Sequence, residues 1–134
     1  MKIRFLIIVA IFFGSLNLMS LGQNNTEGSE MALLMRKALQ FLKTEKQNIT
    51  TNAALQSYPK EFEQFKTAKV TEGKNLSADH QLYLNQFYTQ LSSYYEKVSP
   101  AERIEQFNLL INSCMQCHEH ECPGPIPSIK KNRF

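Results

Sequence analysis

The sequence predicts an all-α fold, an antiparallel up-down-up-down four-helix bundle with a Pro-rich C-terminal tail. Three observations predict it. Apolar residues recur at 3-4 spacing in four separate stretches, and no stretch shows the period-2 alternation of a half-buried strand. Turn-formers separate the stretches, most plainly Thr50-Thr51-Asn52 and Thr71-Glu72-Gly73-Lys74-Asn75. Each apolar stripe is one helix face wide, and such a helix is marginal alone in water. Burying four faces against one another is the economical solution, and short connectors make neighbours antiparallel.

The first helix is expected over about 29–49, with Met31, Met35, Ala38, Leu42 and Ile49 on one face. The second carries Leu55, Tyr58, Phe62 and Phe65. Pro59 breaks or kinks it, because proline lacks the N–H and clashes with the preceding turn, so its start falls near Ser57. The third opens at Ser77 as N-cap, with Asp79 in the first turn, and its stripe reads His80, Leu84, Phe87, Leu91, Tyr94 and Val98. The fourth has the clearest start. Ser99-Pro100-Ala101-Glu102 supplies a capping hydroxyl, a Pro at the first helical position and a Glu three residues on. Its stripe is Ile104, Phe107, Ile111, Cys114 and His118, and Pro123-Gly124-Pro125-Ile126-Pro127 ends it.

The N-terminus reads as an export signal. Lys2 and Arg4 precede the unbroken apolar run 5–13, and a polar-to-small stretch ends in Ser20-Leu21-Gly22. Small residues at 20 and 22 suit signal peptidase, which places cleavage before Gln23. A retained anchor would need about 20 apolar residues, and Gly14, Ser15 and Asn17 interrupt too early. No cysteine stands near the cleavage point to take a lipid. The expectation is a signal peptide at 1–22, a single domain at 23–134, and a periplasmic or otherwise exported protein without stable membrane insertion.

Charge excludes little but nucleic acid. The chain carries 15 Lys+Arg and 12 Asp+Glu; losing Lys2 and Arg4 leaves 13 against 12, a net charge of +1. The one basic cluster is the short tail Lys130-Lys131-Asn132-Arg133, not a basic face.

All 3 cysteines lie between 114 and 122. An odd count does not make a disulfide framework. Cys114-Met115-Gln116-Cys117-His118 has the Cys-x-x-Cys-His spacing by which c-type haem is attached. Two thiols three residues apart reach the two vinyl groups of the porphyrin as thioethers, and the following His supplies an axial imidazole to the iron. On a helix Cys114 and His118 are i and i+4 and share a face, with Cys117 flanking it.

Other chemistries fit less well. Zinc could draw on Cys114, Cys117, Cys122 and His118 or His120, but ligand pairs from separate elements are usual for it. A thiol–disulfide motif belongs at a helix N-terminus, where the dipole lowers the thiol pKa, whereas this one lies at a C-terminus. Cysteines that are simply buried are the bland alternative.

With only sixteen residues after His118, the chain is too short beyond its motif for the ordinary small cytochrome c fold. A signal peptide, four amphipathic helices and Cys-x-x-Cys-His on the last one resemble the class II c-type cytochromes, the cytochrome c-prime group. The likeness covers the mature chain in architecture and Cys114, Cys117, His118 and one Met in residues. The ending His118-Glu119-His120-Glu121-Cys122-Pro123 departs from the group's short finish.

The resemblance implies a four-helix bundle with one covalent haem c, His118 as axial iron ligand, and in six-coordinate members a Met of the first helix on the other side. Antiparallel topology sets the start of the first helix beside the end of the fourth. Met35, one turn inside, is the first candidate for the sixth ligand and Met31 the second. An empty position, as in gas-binding members, ranks between them, and His80 comes last. Met on an apolar stripe is also ordinary core. Arg36 and Arg103 are candidates for a haem propionate. Cys122 is a free thiol or a link between two subunits, which would give a homodimer.

The functional expectation is a mono-haem c-type cytochrome that transfers electrons to and from redox partner proteins and is not an enzyme. No Ser-His-Asp set, phosphate loop or acid–base pair is visible. The alternative is a five-coordinate NO- or CO-binding haem protein, and a weaker third is a structural metal-bound module.

Overall fold

The computed structural model describes residues 28–96 and 99–134. The expected signal peptide and Val98 lie outside the described residues. Among those described, the regular structure is wholly helical. Helix α1 spans Glu30–Thr50, a 3-10 helix spans Lys60–Lys66, α2 spans His80–Glu96, α3 spans Pro100–Glu121, and a short α4 spans Ile126–Lys130.

Helix α1 begins where Ser29 accepts a hydrogen bond from the Ala32 N–H at 3.2 Å. It ends in a left-handed cap. Asn52 has φ of 52°, its N–H donates to the Ile49 carbonyl at 3.2 Å, and the Ala53 N–H reaches back to Asn48 at 2.8 Å. These two bonds satisfy carbonyls that the helix leaves orphaned.

The second segment is not an α-helix. Residues 53–59 run without helix, and the Gln56 N–H and side chain hold them to α1 through Glu45 Oε1 at 2.7 Å and the Phe41 carbonyl at 3.0 Å. Pro59 biases its predecessor away from helical backbone. Only the seven residues Lys60–Lys66 remain, and they close as a 3-10 helix, the form that suits short pieces. Phe62 and Phe65 are buried as their stripe demands, while Tyr58 stays exposed.

Helix α2 begins at His80, later than Ser77 would place it. Ser77 does not cap it. Its N–H donates to Glu121 Oε2 at 3.0 Å and its hydroxyl to Oε1, which ties the 67–79 connector to the end of α3. The stripe itself holds: His80, Leu84, Phe87, Leu91 and Tyr94 are all buried. Helix α3 opens as its sequence dictates, with Ser99 accepting from the Glu102 N–H at 3.2 Å and Pro100 in the first turn.

The Pro-rich tail is a further departure. It starts a new helix, with Pro125 at the cap and Pro127 in the first turn, where a missing N–H costs nothing. Ile129 is buried. The chain end then folds back. Phe134 N–H donates to Asn108 Oδ1 at 3.0 Å, its ring lies 5.8 Å from that of Phe107, and Lys46 Nζ donates to the carbonyls of Lys131 and Arg133 at 3.2 and 2.8 Å.

Packing forms a four-sided circuit: α1 against the 3-10 helix, that against α2, α2 against α3, and α3 against α1, with α4 on α3. The core is aromatic. Phe41, Phe62, Phe65 and Phe87 meet edge-on, stacked or tilted with centroids 5.3–6.2 Å apart. Leu91, Tyr94, Phe107, Leu110 and Ile111 have no exposed surface.

Candidate functional site

Near its C-terminal end α3 carries Cys114, Cys117 and His118 to one wall of a cavity of about 610 Å³. That is within the range of about 300–1,000 Å³ common for small-molecule and cofactor sites. Helix α1 contributes Met31, Met35 and Leu42 to the lining, the 3-10 helix Phe65, and α2 Leu84 and Phe87. Pro125 and Ile129 of the tail and Val70 and Leu76 of the 67–79 connector complete the walls. The lining is mainly apolar.

His118 is buried, and its Nδ1 lies 3.1 Å from the Cys122 carbonyl oxygen. A carbonyl only accepts, so this contact is a hydrogen bond in the tautomer that has its proton on Nδ1 and its lone pair on Nε2. The same nitrogen has Cys122 Sγ at 3.3 Å. A backbone carbonyl fixing one ring nitrogen while the other is free for a metal is the usual way a ligating His is oriented.

Cys114 and Cys117 are free and half-buried. Burial pushes the Cys114 thiol up to about 12 and the Cys117 thiol to about 11, and it raises Cys122 as well. Such thiols are protonated at neutral pH, the opposite of an activated redox cysteine. Glu121 closes this end of α3. Burial raises its carboxyl, but the two bonds from Ser77 and the nearby His80 and His120 outweigh that and hold it below the usual carboxylate range.

The two methionines differ. Met31 is buried in the core, and its N–H is bonded to the Lys69 carbonyl at 3.0 Å; Met35 is half-buried on the cavity wall. His80 does not line the cavity. It is buried with neither ring nitrogen hydrogen-bonded, and its Nδ1 is 3.9 Å from Glu121 Oε1. His120 is exposed and stacks on Tyr83 at 5.1 Å and 14°. Arg36 lies on the lining and Arg103 does not.

Among the described residues no three His, Cys, Asp or Glu side chains converge as a metal-holding group, so the compact cluster that zinc would use is not assembled. A haem iron asks the protein for one or two ligands only. Among those residues, too, no helix is long and apolar enough to cross a membrane.

Sequence reasoning missed Glu45, a fully buried acid on α1. It accepts from the Tyr94 hydroxyl at 2.5 Å, the Gln56 N–H at 2.7 Å and Asn48 Nδ2 at 3.4 Å. A single Glu among polar neighbours gives no sequence signal of burial. The connector residues of the cavity wall were missed as well, since irregular segments have no periodicity to read.

No family model, no curated protein and no solved structure matches this chain.

Proposed function

We propose that this chain is an exported mono-haem c-type cytochrome that transfers electrons between partner proteins. Cys114 and Cys117 would hold the haem as thioethers, and His118 would bind the iron. The observation that carries the reading is a juxtaposition. Cys114, Cys117 and His118 line one apolar cavity of about 610 Å³ together with Met31 and Met35, about eighty residues away in sequence. The residues fit the group in size, polarity and ligand chemistry, and the hydrogen bond from His118 Nδ1 leaves the other nitrogen free to coordinate.

Bound there, the haem supplies a one-electron iron couple. The protein's part is to orient and to exclude water. The Cys122 carbonyl holds the His118 ring, while Leu42, Phe65, Leu84 and Phe87 keep the site dry. Both methionines line the cavity; Met35, which is half-buried, would be preferred as a second iron ligand over Met31, which is buried and has its N–H bonded to the Lys69 carbonyl. His/Met ligation raises the potential.

We also read the fold as the up-down-up-down bundle of the class II c-type cytochromes with its second helix reduced. The four-sided circuit, in which the 3-10 helix occupies that side, supports it. Raised thiol pKa values and the place of Cys114 and Cys117 near a helix C-terminus speak against a disulfide oxidoreductase.

Visible spectra of the matured protein test the assignment. Low-spin iron in both oxidation states supports electron transfer. High-spin iron that binds carbon monoxide in the reduced wild-type protein would refute it and favour the gas-binding reading.

A further inference from the structure

We propose that the mouth of the cavity is a two-point anion clamp, Arg36 and Lys74, which takes the paired carboxylates of the porphyrin. The inference rests on the haem reading. It begins from charge. Two cations, Arg36 and Lys74, belong to the cavity lining, and the one carboxylate there, Glu121, is occupied by Ser77. Both cations are exposed, and among the described residues neither forms a salt bridge. Neutral polar groups accompany them at Ser29, Thr71 and Asn75, while the remaining walls are mainly apolar.

Backbone geometry favours the placement. The Arg36 guanidinium lies back over Gly28: a Cβ there would be 3.4 and 3.6 Å from its two terminal nitrogens and 3.0 Å from the Ala32 Cβ. Lys74 follows Gly73, whose φ of 76° turns the connector, and it lines the cavity together with Cys122. The clamp thus comes from α1 and the 67–79 connector, and the thiols from α3. A ligand held by thioethers along one edge and carrying two carboxylates on another matches that division. Two unneutralised cations beside an apolar cavity have no equivalent purpose for a wholly apolar ligand.

The groups that face a carboxylate at this mouth are few. Helix α1 offers Arg36, the connector Lys74, and α2 Tyr83. Helix α3 and the residue after it offer the thiols of Cys114, Cys117 and Cys122 with His118 and Glu121, and the tail offers no ionisable group. The cations therefore dominate, and a carboxyl with an opposite charge within ~4–6 Å has its pKa lowered by about 1–3 units.

The test uses the haem-loaded full chain, with the reduction potential followed against pH in wild type, Arg36→Gln, Lys74→Gln, the double variant and Arg36→Lys. The inflection caused by propionate ionisation is expected to move up by about one pH unit or more in the double variant and part of that in each single one. Arg36→Lys should stay near wild type, which a merely structural role would not produce. Coincident inflections in all five proteins overturn the clamp while leaving the haem assignment standing. A wild-type chain without covalent haem overturns both.

Discussion

Among the described residues His118 is held only by contacts of its Nδ1 with the Cys122 carbonyl and thiol and lines a cavity, so its removal should spare the fold. His118→Ala is expected to keep its haem through the two thioethers and to lose the spectrum of a His-ligated iron, checked by visible absorption after export. Met35→Ala should open the sixth position, turn the iron high-spin and admit carbon monoxide to the reduced form. Met31→Ala should change the spectrum little, and so should His80→Ala, since His80 is off the cavity. Elsewhere, Tyr94→Phe takes the hydroxyl from the buried Glu45 carboxylate. Leaving a buried acceptor underpaired costs about 1–3 kcal/mol, to be read as a lower urea midpoint with an unchanged slope.

At the scale of elements, legibility followed pattern length. Helix α2 was readable because its 3-4 rhythm runs unbroken for four turns, and all five described stripe residues are buried. The start of α3 was readable because capping chemistry is local: Ser99, Pro100 and Glu102 need no tertiary partner. Ser99→Ala should accordingly cost about 1 kcal/mol, measured by thermal unfolding. Ser77 looked equally like a cap and instead binds Glu121, forty-four residues away, a contact no local pattern encodes. The second helix failed because two long-range bonds, from Gln56 to Glu45 and to Phe41, leave too few residues after Pro59. The tail was hidden because five residues give no periodicity. Its end is fastened by Lys46, Asn108 and Phe107. Deleting 131–134 should therefore loosen the wall carrying Ile129 and lower the melting temperature without abolishing helix content, as circular dichroism would show.

At the scale of the whole molecule, the candidate site was legible in its parts and not in its enclosure. The spacing of Cys114, Cys117 and His118 put three side chains together near the end of one helix, and the expected antiparallel neighbours put Met35 and Met31 beside them; all five line one cavity. That the 67–79 connector and the tail close the remaining sides, bringing Lys74 and Ile129 to the same space, depends on packing that no motif announces. A small domain built around an apolar space of about 610 Å³ lacks dispersion partners on the walls of that space until a ligand fills it. The unloaded chain is thus expected to melt below the loaded one. The most direct test of the account is the intact mass of the exported, purified chain. One haem is expected, added covalently to a chain beginning at or near Gln23 and persisting through acid–acetone extraction. A mass equal to that of the bare polypeptide would contradict it.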